Sequence, residues 1–154
     1  MVTGLLLIDD KNSELLNTAH YKEKLDEFLM ITRPFTEEII IVSNHPKIIL
    51  PYTPRDIRIV TEYYKHSGIL GQLHAGLSLS SYQANIVVDY ETSFHELELQ
   101  PPIEEFSKTN PDLILFEKSK INGIYNKSIV PVLSEYLEHP SKATRKFDDL
   151  NFVL

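Results

Sequence analysis

The sequence predicts an α/β domain, a three-layer αβα sandwich around a mostly parallel sheet. Short, continuous runs of apolar residues recur along the 154-residue chain, and such runs are typical of strands buried on both faces of a sheet. Segments with helical spacing alternate with these runs. No repeat, low-complexity tract or linker divides residues 1–154, so we predict a single domain.

The apolar runs give the predicted strands. The first spans Gly4 to Ile8 and leads directly into the paired acids Asp9 and Asp10. Its residues are apolar without alternation, as expected for a strand in the middle of a parallel sheet. The remaining strands are predicted at Glu38–Asn44, Arg55–Val60, Asn85–Asp89 and Asp112–Phe116, with a short strand or turn at Ile121–Tyr125.

Helices are predicted between these strands. The first runs from Ser13 to about Ile31, and its apolar residues have helical spacing from Tyr21 onward. Arg33-Pro34 closes it, because proline disfavours helical backbone in the residue before it. The others are predicted from Gly68 through Leu79, over Phe94–Phe106 with an interruption at Pro101-Pro102, and over Ile129–Leu137.

The composition excludes several classes of function. A formal net charge of −7 argues against binding to nucleic acid or to an anionic membrane, because both need clusters of positive charge. The absence of cysteine excludes disulfides, thiolate zinc sites and cysteine nucleophiles. No apolar run reaches the roughly 18–20 residues that cross a bilayer, and no signal peptide is recognisable, so we expect a cytoplasmic location.

Polar residues cluster where the predicted strands end. Asp9, Asp10, Asn44, Asp89 and Glu91 all fall at or just after such an end. In open parallel α/β sheets the ligand binds beyond the carboxyl ends of the strands, so these residues mark the expected site. The same acids suit a helix N-cap, a turn or a solvated strand end, and both interpretations stay open.

One segment resembles a known family. In molybdenum cofactor guanylyltransferases, a glycine-proline-leucine-x-glycine sequence leads into a helix rich in alanine and leucine. The segment Gly68–Ser78 keeps this order and spacing at Gly68, Leu70 and Ala75–Leu77. The departures are Ile69 for the proline, Gln72 for the second glycine, and Gly71 one residue early.

The resemblance implies a Rossmann-like nucleotidyltransferase sheet and a reaction. In that reaction a phosphate of molybdopterin attacks the α-phosphorus of GTP in the presence of Mg²⁺, and pyrophosphate leaves. Counted without gaps from Gly68, Glu91 falls on the family's metal-binding aspartate, whereas Asp89 lies at the strand end. Both are therefore candidates for the catalytic, metal-binding carboxylate.

Further residues are candidates for contacts with the nucleotide. Glu62 lies six residues before Gly68, where the family usually has an aspartate. Glycines allow a close approach of backbone to ligand, although turns and helix packing require them too. The full set of candidates is Asn44, Glu62, Gly68, Gly71 and Gly76.

The first loop departs from the family. There the first strand leads into a glycine-glycine-x-serine-x-arginine-methionine-glycine-x-aspartate-lysine loop, whose backbone N–H groups surround the phosphates. Here no glycine occurs between Gly4 and Gly68, and two aspartates stand where the paired glycines should be. Lys11 and Ser13 are the candidate remnants of the loop. We therefore expect nucleotidyl transfer to be reduced or lost.

Two alternatives stay open beside this interpretation. One is a non-catalytic module on the same fold that binds a nucleotide, the cofactor, a partner protein or a second copy of the chain. The other is a nucleotidyltransferase with a different phosphorylated acceptor, because the acceptor-binding part is not readable from the sequence. Metal-dependent release of pyrophosphate separates the enzymes from the module.

Overall fold

The computed structural model describes residues 1–9, 17–116 and 119–139 and the backbone of 152–153. The predicted site positions Asp10, Lys11 and Ser13 lie outside these residues. The strands are β1 (Val2–Ile8), β2 (Glu38–Ser43), β3 (Arg58–Val60), β4 (Ala84–Asp89), β5 (Leu113–Leu115), β6 (Gly123–Asn126) and β7 (Phe152–Val153). The helices are α1 (Thr18–Thr32), α2 (Pro46–Ile49), α3 (Gly68–Leu79), α4 (Gln100–Thr109) and α5 (Val130–Glu138).

The strands form one seven-stranded sheet in the order β3-β2-β1-β4-β6-β5-β7. Neighbours within the series from β3 to β4 are parallel. Strand β6 is antiparallel to both β4 and β5, and β5 and β7 are parallel. The four parallel strands therefore end at one side of the sheet, which we call the carboxyl edge. Their last residues are Ile8, Ser43, Val60 and Asp89.

The side chains of the sheet alternate between two hydrophobic cores. Leu6 and Ile8 of β1 pack in the core beneath α1 and α4, and Leu5 and Leu7 pack in the core beneath α3 and α5. All four side chains are buried, because successive residues of a strand point to opposite faces. The predicted three-layer αβα sandwich with a mostly parallel sheet is thus confirmed.

Helix α1 shows why the first apolar periodicity folds as it does. Tyr21, Leu25 and Phe28 recur at helical spacing and are buried against the sheet. The side chain of Asn17 caps the helix by accepting a hydrogen bond from the backbone N–H of Ala19 at 3.0 Å. Because this cap fixes the start, the described helix begins at Thr18.

Two predicted elements have other bounds in the structure. The helix predicted over Phe94–Phe106 is wrong in its first half: residues 94–96 form a separate 3₁₀ turn, and α4 begins at Gln100. The prolines do not interrupt α4 but lie in its first turn, where the missing N–H would have no partner. Strand β3 is shorter than predicted, because Ile57 closes a turn onto Pro54 with an N–H···O bond of 3.1 Å.

Helix length also bears on membrane insertion. Within the described ranges, no helix is both long and apolar enough to span a bilayer.

Candidate functional site

Acidic residues meet at the carboxyl edge of β1 and β4. Asp89 is the last residue of β4 and lies in register beside Leu7 of β1, and Asp9 directly follows β1. Asp89 and Asp9 are partly buried, whereas Glu91 is exposed. We call Asp9, Asp89 and Glu91 the aspartate cluster. The structure brings together both predicted metal ligands and one of the two aspartates that follow the first strand.

The surroundings of Asp89 disfavour its negative charge. Burial raises the pKa of the Asp89 carboxyl, and the negative charges of Glu91 and Asp9 raise it further. A long hydrogen bond from the backbone N–H of Glu91, at 3.5 Å, and the nearby charge of Lys24 act in the opposite direction. The net effect is a raised pKa, so the cluster favours a bound cation or proton.

Lys24 is the cation that faces the aspartate cluster from α1. Its Nζ donates a hydrogen bond to the main-chain oxygen of Thr92 at 2.7 Å and lies 4.2 Å from the ring centroid of Phe94. Burial lowers the pKa of the Lys24 amine, while the charges of Glu27, Asp89 and Glu91 partly restore it. Sequence reasoning missed this residue, although a lysine on the buried face of α1 was a usable signal.

Asn122 fixes the chain around Asp89. Its Oδ1 accepts a hydrogen bond from the backbone N–H of Asp89 at 2.8 Å, and its Nδ2 donates to Oγ1 of Thr92 at 2.6 Å. These bonds tie the residue before β6 to the main chain at the end of β4 and to the side chain of Thr92. Sequence reasoning missed Asn122 as well, because an Asn-Gly pair before a strand indicates only a turn.

A cleft of about 660 Å³ opens beside Asp89, towards β5 and β6. Such a volume lies within the range of small-molecule sites. Its lining is mixed, with carboxylates, hydroxyls, one lysine and apolar side chains among the described residues. The lining residues are Asp89, Glu91, Thr92, Ser93, Glu96, Leu97, Phe116, Ser119, Lys120, Ile121 and Asn122.

A second group of predicted residues meets at the ends of β2 and β3. Nδ2 of Asn44 donates a hydrogen bond to Oε2 of Glu62 at 2.9 Å, and Glu62 is only 4% exposed. A Cβ added at Gly71 would lie 2.9 Å from the main-chain oxygen of Tyr64 and 3.6 Å from Oε1 of Glu62. A side chain at position 71 would therefore force a neighbouring atom to move. We call Asn44, Glu62 and Gly71 the amide–carboxylate cluster.

The other two candidate glycines have different surroundings. Gly68 begins α3 with a φ of +65°, a left-handed conformation that favours glycine, and its surroundings are open. Gly76 lies further along α3, where an added Cβ would come within 3.1 Å of Leu5 and 3.2 Å of Val42. The structure thus places Gly76 in the contact between helix and sheet and not at the carboxyl edge.

The two clusters are separated by the width of two strand spacings. Strand β1 lies between β2 and β4, and neighbouring strands are about 4.8 Å apart, so the clusters lie on the order of 10 Å apart. Within the part of the chain that the structure describes, no three His, Asp or Glu side chains are arranged to hold a metal ion. Mg²⁺ commonly takes only one or two carboxylates together with substrate phosphates, and the aspartate cluster fits that mode.

The chain is similar to known proteins in structure but not in sequence. No family model and no curated protein matches the sequence. A protein of Aquifex aeolicus VF5 has a similar structure, with a TM-score of 0.71 and 13% identity over 97% of this chain and 83% of that chain. Molybdopterin-guanine dinucleotide biosynthesis protein A from Archaeoglobus fulgidus has a TM-score of 0.64 and 15% identity, over 99% of this chain and 82% of its own.

The bifunctional IspDF of Campylobacter jejuni has a TM-score of 0.58 and 13% identity, over 94% of this chain and 46% of its own. At such low identities these likenesses show the fold alone. The chain therefore has a nucleotidyltransferase-like fold.

Proposed function

We propose that the chain binds GTP with Mg²⁺ at the carboxyl edge and that its nucleotidyl transfer to molybdopterin is reduced or lost. The aspartate cluster is the observation that carries this proposal. Its acids lie on adjacent parallel strands, at the edge where ligands of open α/β sheets bind. The nucleotidyltransferase-like fold and the resemblance of Gly68–Ser78 to guanylyltransferases support the choice of nucleotide.

Asp89 is the proposed metal ligand. It is partly buried, its backbone is held by Asn122, and its pKa is raised by burial and by neighbouring negative charge. A divalent cation brought by the phosphates would relieve that repulsion and would neutralise charge as the α-phosphorus is attacked. Glu91 is exposed, whereas Asp89 is partly buried at the strand end, so we assign Glu91 a supporting role.

In this proposal the amide–carboxylate cluster binds the nucleoside of GTP, and the cleft beside Asp89 binds the acceptor. Asn44, Glu62 and Gly71 lie on the β2 side of the edge, where we place the nucleoside. The cleft beside Asp89 lies on the β6 side and offers about 660 Å³ for an acceptor. This division puts the phosphates of GTP between the clusters, next to the aspartate cluster and Lys24.

The same geometry explains why we expect slow transfer. Asp9 follows β1, where the resembling family has glycines that surround the phosphates. Its charge faces the same region as Asp89, and it would repel a triphosphate that arrives without a metal. Lys24 offsets part of this charge but also holds Thr92 and Phe94, so it is only partly available to phosphates.

Thermal stability in the presence of nucleotides tests the proposal. GTP with Mg²⁺ is expected to stabilise the protein by about 2.7 kcal/mol at a hundredfold excess over its dissociation constant, and ATP and CTP are expected to act more weakly. Chelation of Mg²⁺ should remove the effect. Release of pyrophosphate with molybdopterin present would show that catalysis survives. Binding without release would favour the non-catalytic module, and no stabilisation by millimolar nucleotide would refute the proposal.

A further inference from the structure

Gln72 lies at the centre of the carboxyl edge. It is on α3, in the place of the second glycine of the resembling family, and it is 0% exposed. Its Nε2 donates a hydrogen bond to the main-chain oxygen of Ile8, the last residue of β1. Its Oε1 is buried and has no hydrogen-bond partner within the described ranges. One half of this amide is therefore paired and the other half is not.

The unpaired atom is fixed as an acceptor. If the amide oxygen and nitrogen exchanged places, a side-chain oxygen would face the oxygen of Ile8, and two acceptors would be in contact. Buried acceptors without a donor lower stability and are rare in folded proteins. Oε1 of Gln72 is therefore able to accept a hydrogen bond from a donor outside the described residues.

We propose that Oε1 of Gln72 accepts a hydrogen bond from a hydroxyl or amino group of the bound nucleotide. This inference rests on the proposed nucleotide binding and adds a residue that selects its sugar and base. Phosphate oxygens are acceptors and cannot pair with Oε1. GTP offers the ribose hydroxyls, the guanine 2-amino group and the guanine N1–H as donors, and we assign a hydroxyl or the amino group to Oε1. Gln72 therefore orients the nucleoside and leaves the phosphates to the aspartate cluster.

The segment beside Gln72 can give the nucleoside access. The main-chain oxygen of Tyr64 and Cβ of Ser67 pack against Gly71, the residue before Gln72. This segment is exposed at Tyr63 and contains two left-handed residues, His66 with a φ of +64° and Gly68 with a φ of +65°. A left-handed histidine is less favourable than an extended one, so a shift of this segment on binding relieves strain.

Affinities of nucleotide analogues test the proposal in a double-mutant cycle. The proteins are the wild type and Gln72→Met, which keeps the volume of the side chain and removes its oxygen. The ligands, each with Mg²⁺, are GTP, 2′-deoxy-GTP, 3′-deoxy-GTP and inosine triphosphate, which lacks the 2-amino group. We expect one analogue to bind the wild type about five- to tenfold more weakly than GTP and to bind Gln72→Met as GTP does. The analogue concerned identifies the donor as a hydroxyl or as the amino group.

Controls distinguish the loss of this hydrogen bond from a loss of fold and from a failure of the proposed GTP binding. Ser78→Ala changes a partly buried polar side chain elsewhere on α3 and should leave every analogue penalty unchanged. If Gln72→Met does not fold, Gln72→Leu takes its place in the cycle, and the affinity loss of each analogue is again compared between wild type and variant. Two results, each with GTP still bound, would overturn the role of Gln72. In one, every analogue loses the same affinity relative to GTP in wild type and variant. In the other, no analogue loses affinity in the wild type. Absence of GTP binding to the wild type would overturn the proposed function itself.

Discussion

The two polar clusters at the carboxyl edge are built on opposite principles. In the amide–carboxylate cluster, the buried carboxylate of Glu62 accepts a hydrogen bond from Asn44, and Gly71 packs closely against the main-chain oxygen of Tyr64. In the aspartate cluster, Asp89 is partly buried beside the like charges of Glu91 and Asp9, and Lys24 offsets only part of this charge. The first arrangement stabilises the fold. The second lowers stability until a cation arrives, which is the behaviour expected of a binding site.

The largest expected effect is in the amide–carboxylate cluster. Glu62→Ala removes the buried carboxylate that accepts a hydrogen bond from Asn44, so unfolding should become easier by roughly 1.5–3 kcal/mol. Denaturant unfolding measures this change. Glu105→Ala, at an exposed position of α4, is the matched control and should change stability by less than about 0.5 kcal/mol. Equal effects for the two variants would mean that Glu62 does not hold the fold.

Gly71→Ala tests the close approach in the same cluster. The new Cβ would lie 2.9 Å from the main-chain oxygen of Tyr64, so the segment before α3 must move. We expect a loss of roughly 1–3 kcal/mol in the free energy of unfolding. Gly68→Ala is a useful comparison, because its penalty comes from the left-handed φ and not from contact. A neutral Gly71→Ala would show that the segment yields without strain.

Substitution in the aspartate cluster should have the opposite sign. Asp89→Asn removes the charge that burial and its neighbours disfavour, so the unliganded protein should gain stability, by less than about 1 kcal/mol because solvent screens a partly exposed group. Glu91→Gln, at an exposed position, serves as the control and should change stability less. Destabilisation by Asp89→Asn would contradict the proposed contrast between the clusters.

The stability gained by Asp89→Asn should depend on pH. Because the pKa of Asp89 is raised in the folded protein, the folded state keeps its proton to higher pH than the unfolded state. The wild type therefore loses stability, relative to the variant, as pH rises from about 4 through the folded pKa. Unfolding curves from pH 4 to 8 without metal measure the gap. A gap that is constant with pH would exclude the charge of Asp89 as its cause.

The strands and the layers of this fold were readable because they depend on simple patterns. The continuous apolar run of β1 and the helical spacing of α1 record burial directly, and both elements appear near their predicted positions. The antiparallel direction of β6 was not readable, because strand direction follows from pairing between distant segments. The bounds of α4 were misplaced because proline breaks the middle of a helix but fits its first turn.

The site was readable only in part. Acids at strand ends were visible because parallel strands end at a common edge, and the structure does bring Asp9 and Asp89 to it. Asn122 and Gln72 were not visible, because each acts through a hydrogen bond to the main chain of a residue distant in sequence. A buried glutamine within a helix has no local pattern that sets it apart from a surface residue.

Calorimetric titration with Mg²⁺ and GTP is the most direct test of a nucleotide site centred on Asp89. The account predicts binding to the wild type and to Glu91→Gln, and binding to Asp89→Asn that is weaker by about tenfold or more. The chelated wild type should resemble Asp89→Asn. Equal affinity of the wild type and Asp89→Asn, or no binding to the wild type, would contradict the account.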